Sequence, residues 1–230
     1  MTNPYEDALV LVAIAGPNGA GKSTFYRSEV AQYGFRFVNA DVIAQRDNIG
    51  PYEAARRAAS ERAALVDERE SFVFETVFSD PAGEKIEFLQ RAVREGYTVV
   101  LCFIGIESAE LSADRVAARV TRGGHNVPRE KLGPRYARSL ENLARAIQAL
   151  LHVIVYDNSD LADPNRRIAE YRRGRQVFAV KPLPPWFRRG IAGYVARALD
   201  ALAVSGPTMS DAAAGKLAAE AKAWVRGRKR

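Results

Sequence analysis

The chain has 230 residues, 47% apolar and 27% charged, a balance that supports a globular core with at most a small appendage and excludes fibrous or disordered chains. A single cysteine, Cys102, and two histidines, His125 and His152, exclude an internal disulfide framework and argue against a zinc centre. The net charge of +7 is uneven, because residues 1–164 carry −4 and residues 165–230 carry +11. No nucleic-acid-binding motif accompanies the basic end, so a solvated surface is the preferred reading and a nucleic-acid partner the alternative. No apolar run is long enough to span a membrane, and no basic segment precedes the first one. The expectation is a cytoplasmic protein.

In chain order, Leu9 to Ala15 is a continuous apolar run, the pattern of a strand buried on both faces of a parallel sheet. A glycine-rich turn follows, then a helix from about Lys22 to Gln32 and a second strand at Phe35–Val38 that closes in Asn39-Ala40-Asp41. Pro51 opens an Ala- and Arg-rich helix reaching about Glu70. A third strand covers Ser71–Glu75, and a helix from about Pro81 to Glu95 stops at Gly96. Tyr97–Ile104 is the next buried strand, with Cys102 as a small core residue. Ser108 suits the N-cap of a helix running to about Thr121, and a further helix from near Arg129 ends at about Leu151. His152–Asp157 is a fifth strand.

Strands alternating with helices over residues 9–158 predict a three-layer α/β fold with a five-stranded parallel sheet. Beyond it the pattern changes to a hairpin around Arg172-Arg173-Gly174-Arg175 and two helices at about 186–204 and 209–226. The expected division is a core over 1–160, with a lid at about 115–138, and a basic hairpin-and-helix appendage over 161–230.

Gly16-Pro17-Asn18-Gly19-Ala20-Gly21-Lys22-Ser23 fits the phosphate-binding pattern G-x-x-x-x-G-K-[ST] between a buried strand and a helix. Glycines let backbone N–H groups converge on phosphate oxygens, and the helix that follows adds its positive end. Lys22 can reach the β- and γ-phosphates of ATP, Ser23 supplies a hydroxyl for Mg²⁺, and Thr24 completes the segment. The guanine-reading N-K-x-D element of GTPases is absent, as is the L-S-G-G-Q signature of transporter ATPases. The small-kinase plan remains.

Asp41, at the end of the second strand, is a candidate base for an acceptor hydroxyl, with an N-cap or Asx turn as the structural alternative. Glu75 and Thr76 end the third strand and should face the same crevice, to bind acceptor hydroxyls or, for Glu75, to hold metal through water. Arg115, Arg119 and Arg122 share one helix face, and Arg129, Arg135 and Arg138 follow across a Gly123-Gly124 loop. Arginines so placed, on a lid with a glycine hinge, suit the oxygens of a transferring phosphoryl group, although a solvated helix face explains any single one. His125 is a candidate for polarising a phosphate or acceptor oxygen, and equally a structural loop residue. Asp157 reads as a contact near the nucleotide base or as a turn with Asn158.

Gly16 to Thr24, Asn39-Ala40-Asp41, Phe74-Glu75-Thr76, Arg122-Gly123-Gly124-His125, Val127-Pro128 and Arg135-Tyr136 together resemble the zeta-toxin-like P-loop kinases. They are most similar to the compact branch often labelled predicted ABC-type ATPases. The resemblance covers roughly residues 8–160. It implies the P-loop NTPase fold, ATP and Mg²⁺ at Lys22 and Ser23, and Asp41 as catalytic base. It also implies an acceptor facing Glu75 and Thr76, and phosphates held by Arg119, Arg122 or Arg135. Zeta toxins phosphorylate the 3′-hydroxyl of the amino sugar in UDP-N-acetylglucosamine and are blocked by an antitoxin, so the resemblance implies a small hydroxyl acceptor and an antitoxin partner. The Gly-Gly-His lid loop and short inter-strand segments set this chain apart from the larger toxins. A nucleotide-gated ATPase without a small acceptor, or a kinase directed at nucleic acid, is the alternative function.

Overall fold

The computed structural model describes residues 8–121 and 127–194. Five strands run parallel, β1 (Val10–Ala15), β2 (Arg36–Val38), β3 (Phe72–Thr76), β4 (Thr98–Gly105) and β5 (His152–Asp157). Two more, β6 (Arg166–Arg172) and β7 (Arg175–Ala179), continue the same sheet antiparallel, giving the order β2-β3-β1-β4-β5-β6-β7. The five-stranded parallel core is the one expected. The hairpin, however, does not stand outside it. Its Ile168, Ala169 and Tyr171 are buried, and β6 pairs along β5, covering an edge that would otherwise present unpaired backbone groups. The compact unit therefore ends at Ile191 rather than near 160. Of the two expected C-terminal helices, one begins at 185; the second lies outside the described residues.

The central strands β1 and β4 are long apolar runs because both of their faces are covered. Leu11, Ala13, Ile14, Leu101, Phe103 and Ile104 are completely buried, each large side chain contributing roughly 1.5–3 kcal/mol relative to exposure. On one face Ile14, Val73, Cys102 and Ile104 pack against Phe25 and Val30. These two belong to a helical stretch that begins as α1 (Lys22–Phe25) and tightens through a π turn at Tyr26–Val30 and a 3₁₀ turn at Ala31–Tyr33. Residues of opposite parity face the other layer, where Phe74 meets Phe88 edge-on.

That second layer holds α3 (Pro51–Asp67), α4 (Glu84–Arg94) and α6 (Arg129–Ala149). Pro51 opens α3 as expected, while α4 begins three residues later than the sequence suggests, after Gly83. The helix α5 (Ala109–Val120) starts at Ser108, whose hydroxyl accepts from the Leu111 N–H at 3.2 Å. One helix was not anticipated. The short α2 (Ala40–Asp47) follows β2 directly, nucleated by Asn39, whose side-chain oxygen accepts from the N–H groups of Asp41 (2.7 Å) and Val42 (3.3 Å). Only Ile43 of this helix is buried, so its sequence carries little periodic signal.

Candidate active site

The loop between β1 and α1 is wrapped tightly over neighbouring strand ends. Gly16 has φ +145°, and a Cβ there would lie 2.1 Å from the Ile104 carbonyl oxygen. Gly21 has φ +88°, and a Cβ there would lie 2.4 Å from the Asn158 side-chain nitrogen. Both positions demand glycine for conformation and for space. Lys22 is 6% exposed; its Nζ donates to the Pro17 carbonyl at 3.0 Å and lies 3.8 Å from Glu75 Oε1. Burial pulls the Lys22 ammonium below the ordinary lysine value, against the carboxylates of Glu75 and Asp41, which hold it up. Ser23 Oγ donates to Glu75 Oε2 at 2.7 Å, and Asn39 Nδ2 donates to the same oxygen at 2.9 Å.

Glu75 reaches Ser23 because strand parity directs it to the α1 side of β3, beside Ile14 in register. The Ser23 hydroxyl and Glu75 carboxylate form a pair of hard oxygen donors next to the buried lysine, which suits Mg²⁺. Among the described residues no group of three or more His, Cys, Asp and Glu side chains comes together to hold a metal. A cation at Ser23 would therefore share its coordination with phosphate oxygens, the usual arrangement for Mg²⁺.

A second tier of residues props the loop. Asn158 Nδ2 donates to the Ala20 carbonyl at 2.8 Å, and Ser112 Oγ donates to the Asn18 carbonyl at 2.7 Å. Arg115, expected on the lid face with Arg119, turns instead to the end of β5. Its Nη1 donates to the Asn158 carbonyl (2.7 Å) and its Nη2 to that of Ser159 (3.0 Å). Asp157 takes the turn role. Its Oδ1 accepts from the Ser159 N–H at 3.1 Å and from Trp186 Nε1 at 3.1 Å, while Oδ2 accepts from Arg166 at 3.1 Å. Cys102 is buried, which pushes its thiol up to about 12 and leaves it an inert core residue.

A cavity of about 680 Å³ opens in front of these strand ends. Lys22, Asp41, Glu75, Thr76, Arg119 and Arg135 all line it. Residues far apart in sequence, from Asn18 and Gly19 of the phosphate loop to Arg119 and Arg135 of α5 and α6, thus share one space. Asp41 occupies the first turn of α2, and Asn39 rather than Asp41 supplies the N-cap. The Thr76 hydroxyl accepts from the Phe78 N–H at 3.1 Å, and Arg138 donates to the Ser79 carbonyl at 2.9 Å. Arg122 and His125 lie outside the described residues.

Sequence reasoning missed Asn158 and Ser112 as supports of the loop, and Arg62 and Asp80 as cavity residues. Asn18 Oδ1, Asp80 Oδ1 and Arg62 Nε are buried without a hydrogen-bond partner, and all three residues line this cavity. Native interiors leave few such groups, so their concentration here marks a surface built to be completed by a ligand.

The chain is 28% identical to an uncharacterised Haemophilus influenzae protein over 128 residues, 53% of this chain and 88% of that one. A solved chain of the AvrRxo1-ORF1:AvrRxo1-ORF2 complex with sulphate ions aligns over 89% of this chain at 16% identity and a TM-score of 0.60. The same complex with ATP aligns with a TM-score of 0.58 at 16% identity. The chain spans 66% and 65% of those chains, and at this identity the likeness is one of fold. The zeta toxin family model matches residues 51–167, just over half of the chain, from the start of α3 into β6. With the phosphate loop standing upstream of that match, the chain belongs to the zeta toxin family of P-loop kinases.

Proposed function

We propose that the protein transfers the γ-phosphoryl group of ATP to a hydroxyl of a small acceptor, of which a UDP-amino sugar is the first candidate. The observation that carries this reading is the shared cavity, where Asp41 stands with the buried Lys22 and with Arg119 and Arg135. In the transfer, an acceptor oxygen forms its bond to the γ-phosphorus as the bond from that phosphorus to the β,γ-bridging oxygen breaks, leaving ADP. Asp41 accepts the hydroxyl proton. Backbone N–H groups of residues 16–24 hold the phosphates, and Lys22 neutralises the β/γ oxygens. Mg²⁺, held at Ser23 with Glu75 behind it, would neutralise further phosphate charge. Arg119 and Arg135 meet charge that spreads over the equatorial phosphoryl oxygens, a role for which Arg122, outside the described residues, is also a candidate. Glu75, Thr76 and His125 are the remaining candidates for positioning the acceptor.

A protein partner is proposed by analogy, because the similar solved fold is a complex of AvrRxo1-ORF1 with AvrRxo1-ORF2. The partner proposed is an antitoxin that blocks the nucleotide site, as the family resemblance implies. The cytoplasm is the proposed place of action, and no helix among the described residues is long and apolar enough to cross a membrane. The test is incubation with Mg²⁺-ATP and a panel of nucleotide sugars, nucleosides and oligonucleotides, read by mass spectrometry. A phosphorylated small molecule is the expected product. Phosphorylated oligonucleotide alone would move the acceptor to nucleic acid, and ATP hydrolysis at the same rate without any acceptor would make the protein a nucleotide switch.

A further inference from the structure

Arg62 is the most unusual charged residue of the described fold. It projects from α3, is only 7% exposed, and lies with its guanidinium carbon 4.9 Å from the Phe74 ring centre and 5.6 Å from that of Phe88. Among the described residues no carboxylate pairs with it and its Nε has no hydrogen-bond partner, and it lines the cavity. Burial alone lowers its pKa to about 10, so it stays charged at neutral pH. Two aromatic faces recover part of the cost of burying a cation, but they satisfy none of its five N–H donors. An uncompensated buried charge is expensive, and a structural role would be met as well by an uncharged side chain of that length.

Its position separates it from the nucleotide. Glu75 points to the side of β3 that carries Ser23 and the phosphate loop, whereas Arg62 lies over Phe74, which points the other way. The cavity spans both sides. Seven lysines and arginines line it against the three carboxylates of Asp41, Glu75 and Asp80, more positive charge than a metal-bound triphosphate neutralises. In the same cavity, the orphaned Asp80 Oδ1 offers an acceptor for a ligand hydroxyl.

We propose that Arg62 is a specificity-determining residue that seats the anionic group, a phosphate or a carboxylate, at the non-reacting end of the acceptor. This rests on the phosphotransferase reading and adds to it the end of the acceptor that does not react. A guanidinium in a dry, aromatic-walled seat suits either anion, because both accept its paired N–H groups.

The test uses the full chain, saturated with Mg²⁺ and a non-hydrolysable ATP analogue so that the phosphate loop is filled. Inorganic phosphate and, separately, acetate are titrated in while the arginine Nε–Hε resonances are followed by NMR, with chloride at matched ionic strength as control. The Arg62 resonance is identified by its loss in Arg62→Lys and Arg62→Met. It is expected to shift and saturate with at least one anion, and the anion that binds more tightly names the source. Arg62→Met should weaken that anion at least tenfold while analogue-dependent thermal stabilisation is kept. If Arg62→Met does not fold, the wild-type titration with the Arg62→Lys assignment decides. A resonance that neither anion moves, or one that anions move only when the analogue is absent, overturns the proposal. Failure of the analogue to stabilise the wild type would instead strike the phosphotransferase reading itself.

Discussion

At the phosphate-loop end of the cavity most polar groups already have a partner, with Asn18 Oδ1 an exception. Ser23 and Asn39 share one oxygen of Glu75, Lys22 is held by Pro17 and Glu75, and Asn158 clasps the Ala20 carbonyl. Elsewhere in the cavity, Arg62 Nε and Asp80 Oδ1 are buried with none among the described residues. The first end is organised by strand termini and backbone, so it holds its shape before a ligand arrives, which is what rapid charge stabilisation requires. The second is organised around a ligand that must supply the missing contacts. The comparison teaches that one cavity can serve a common donor through main chain and a particular acceptor through side chains.

The sharpest way to break this comparison is to remove proton affinity while leaving the donor end whole. Asp41→Asn preserves shape, so turnover should fall by about 10²–10⁴, while ATP-dependent stabilisation measured by thermal unfolding persists. Lys22→Ala should do the reverse first, abolishing that stabilisation. If Asp41→Asn loses ATP affinity as fully as Lys22→Ala, Asp41 belongs to the donor end.

The next effect concerns the arginines above the cavity. Replacing Arg119 or Arg135 with alanine should lower kcat by about 10²–10³ for at least one of them, with a smaller change in ATP affinity. Steady-state kinetics beside nucleotide titration separates the two. Equal losses would assign these arginines to ground-state binding.

A smaller effect tests the props. Asn158→Ala leaves the Ala20 carbonyl and the Asn165 N–H without partners, which should cost about 1–3 kcal/mol of stability. Denaturant unfolding measures it, and ATP affinity should weaken in parallel while Arg62→Met leaves ATP affinity intact.

The smallest expected effect lies far from the cavity and serves as a control. His152 sits 3.0 Å from Glu170, yet burial, with Arg172 next, lowers its pKa below the ordinary 6.5. The folded state then takes up the proton less readily than the unfolded chain, so stability falls as pH drops below about 6.5 through the depressed folded value. His152→Gln should flatten the dependence of Tm on pH in that window and leave turnover unchanged. A turnover profile that follows His152 would contradict its structural role.

Legibility in the sequence followed the same division. β1 and β4 are continuous apolar runs, and the glycines of the loop occupy positive-φ positions where a Cβ would strike Ile104 or Asn158, so both leave a pattern in the residues themselves. Glu75 and Thr76 were legible as residues of the cavity because they close a strand of a parallel sheet, and Asp41 because it follows one closely. Arg62 was invisible, since an arginine in PYEAARRAASERAALVD reads as a solvated helix face until Phe74 and Phe88 close around it. Arg115 shared a helical face with Arg119 in sequence, and only tertiary contact with the end of β5 separates their roles. The hairpin read as an appendage because its basic turn is exposed, while its buried residues act through pairing with β5.

The account stands most directly on one measurement, the products formed from Mg²⁺-ATP and a panel of anionic hydroxyl compounds by the wild type and by Asp41→Asn. It predicts a small acceptor gaining one phosphoryl group with the wild type, and little of that product from a variant that still binds ATP. Equal ATP consumption by both proteins, with no acceptor modified, would contradict it.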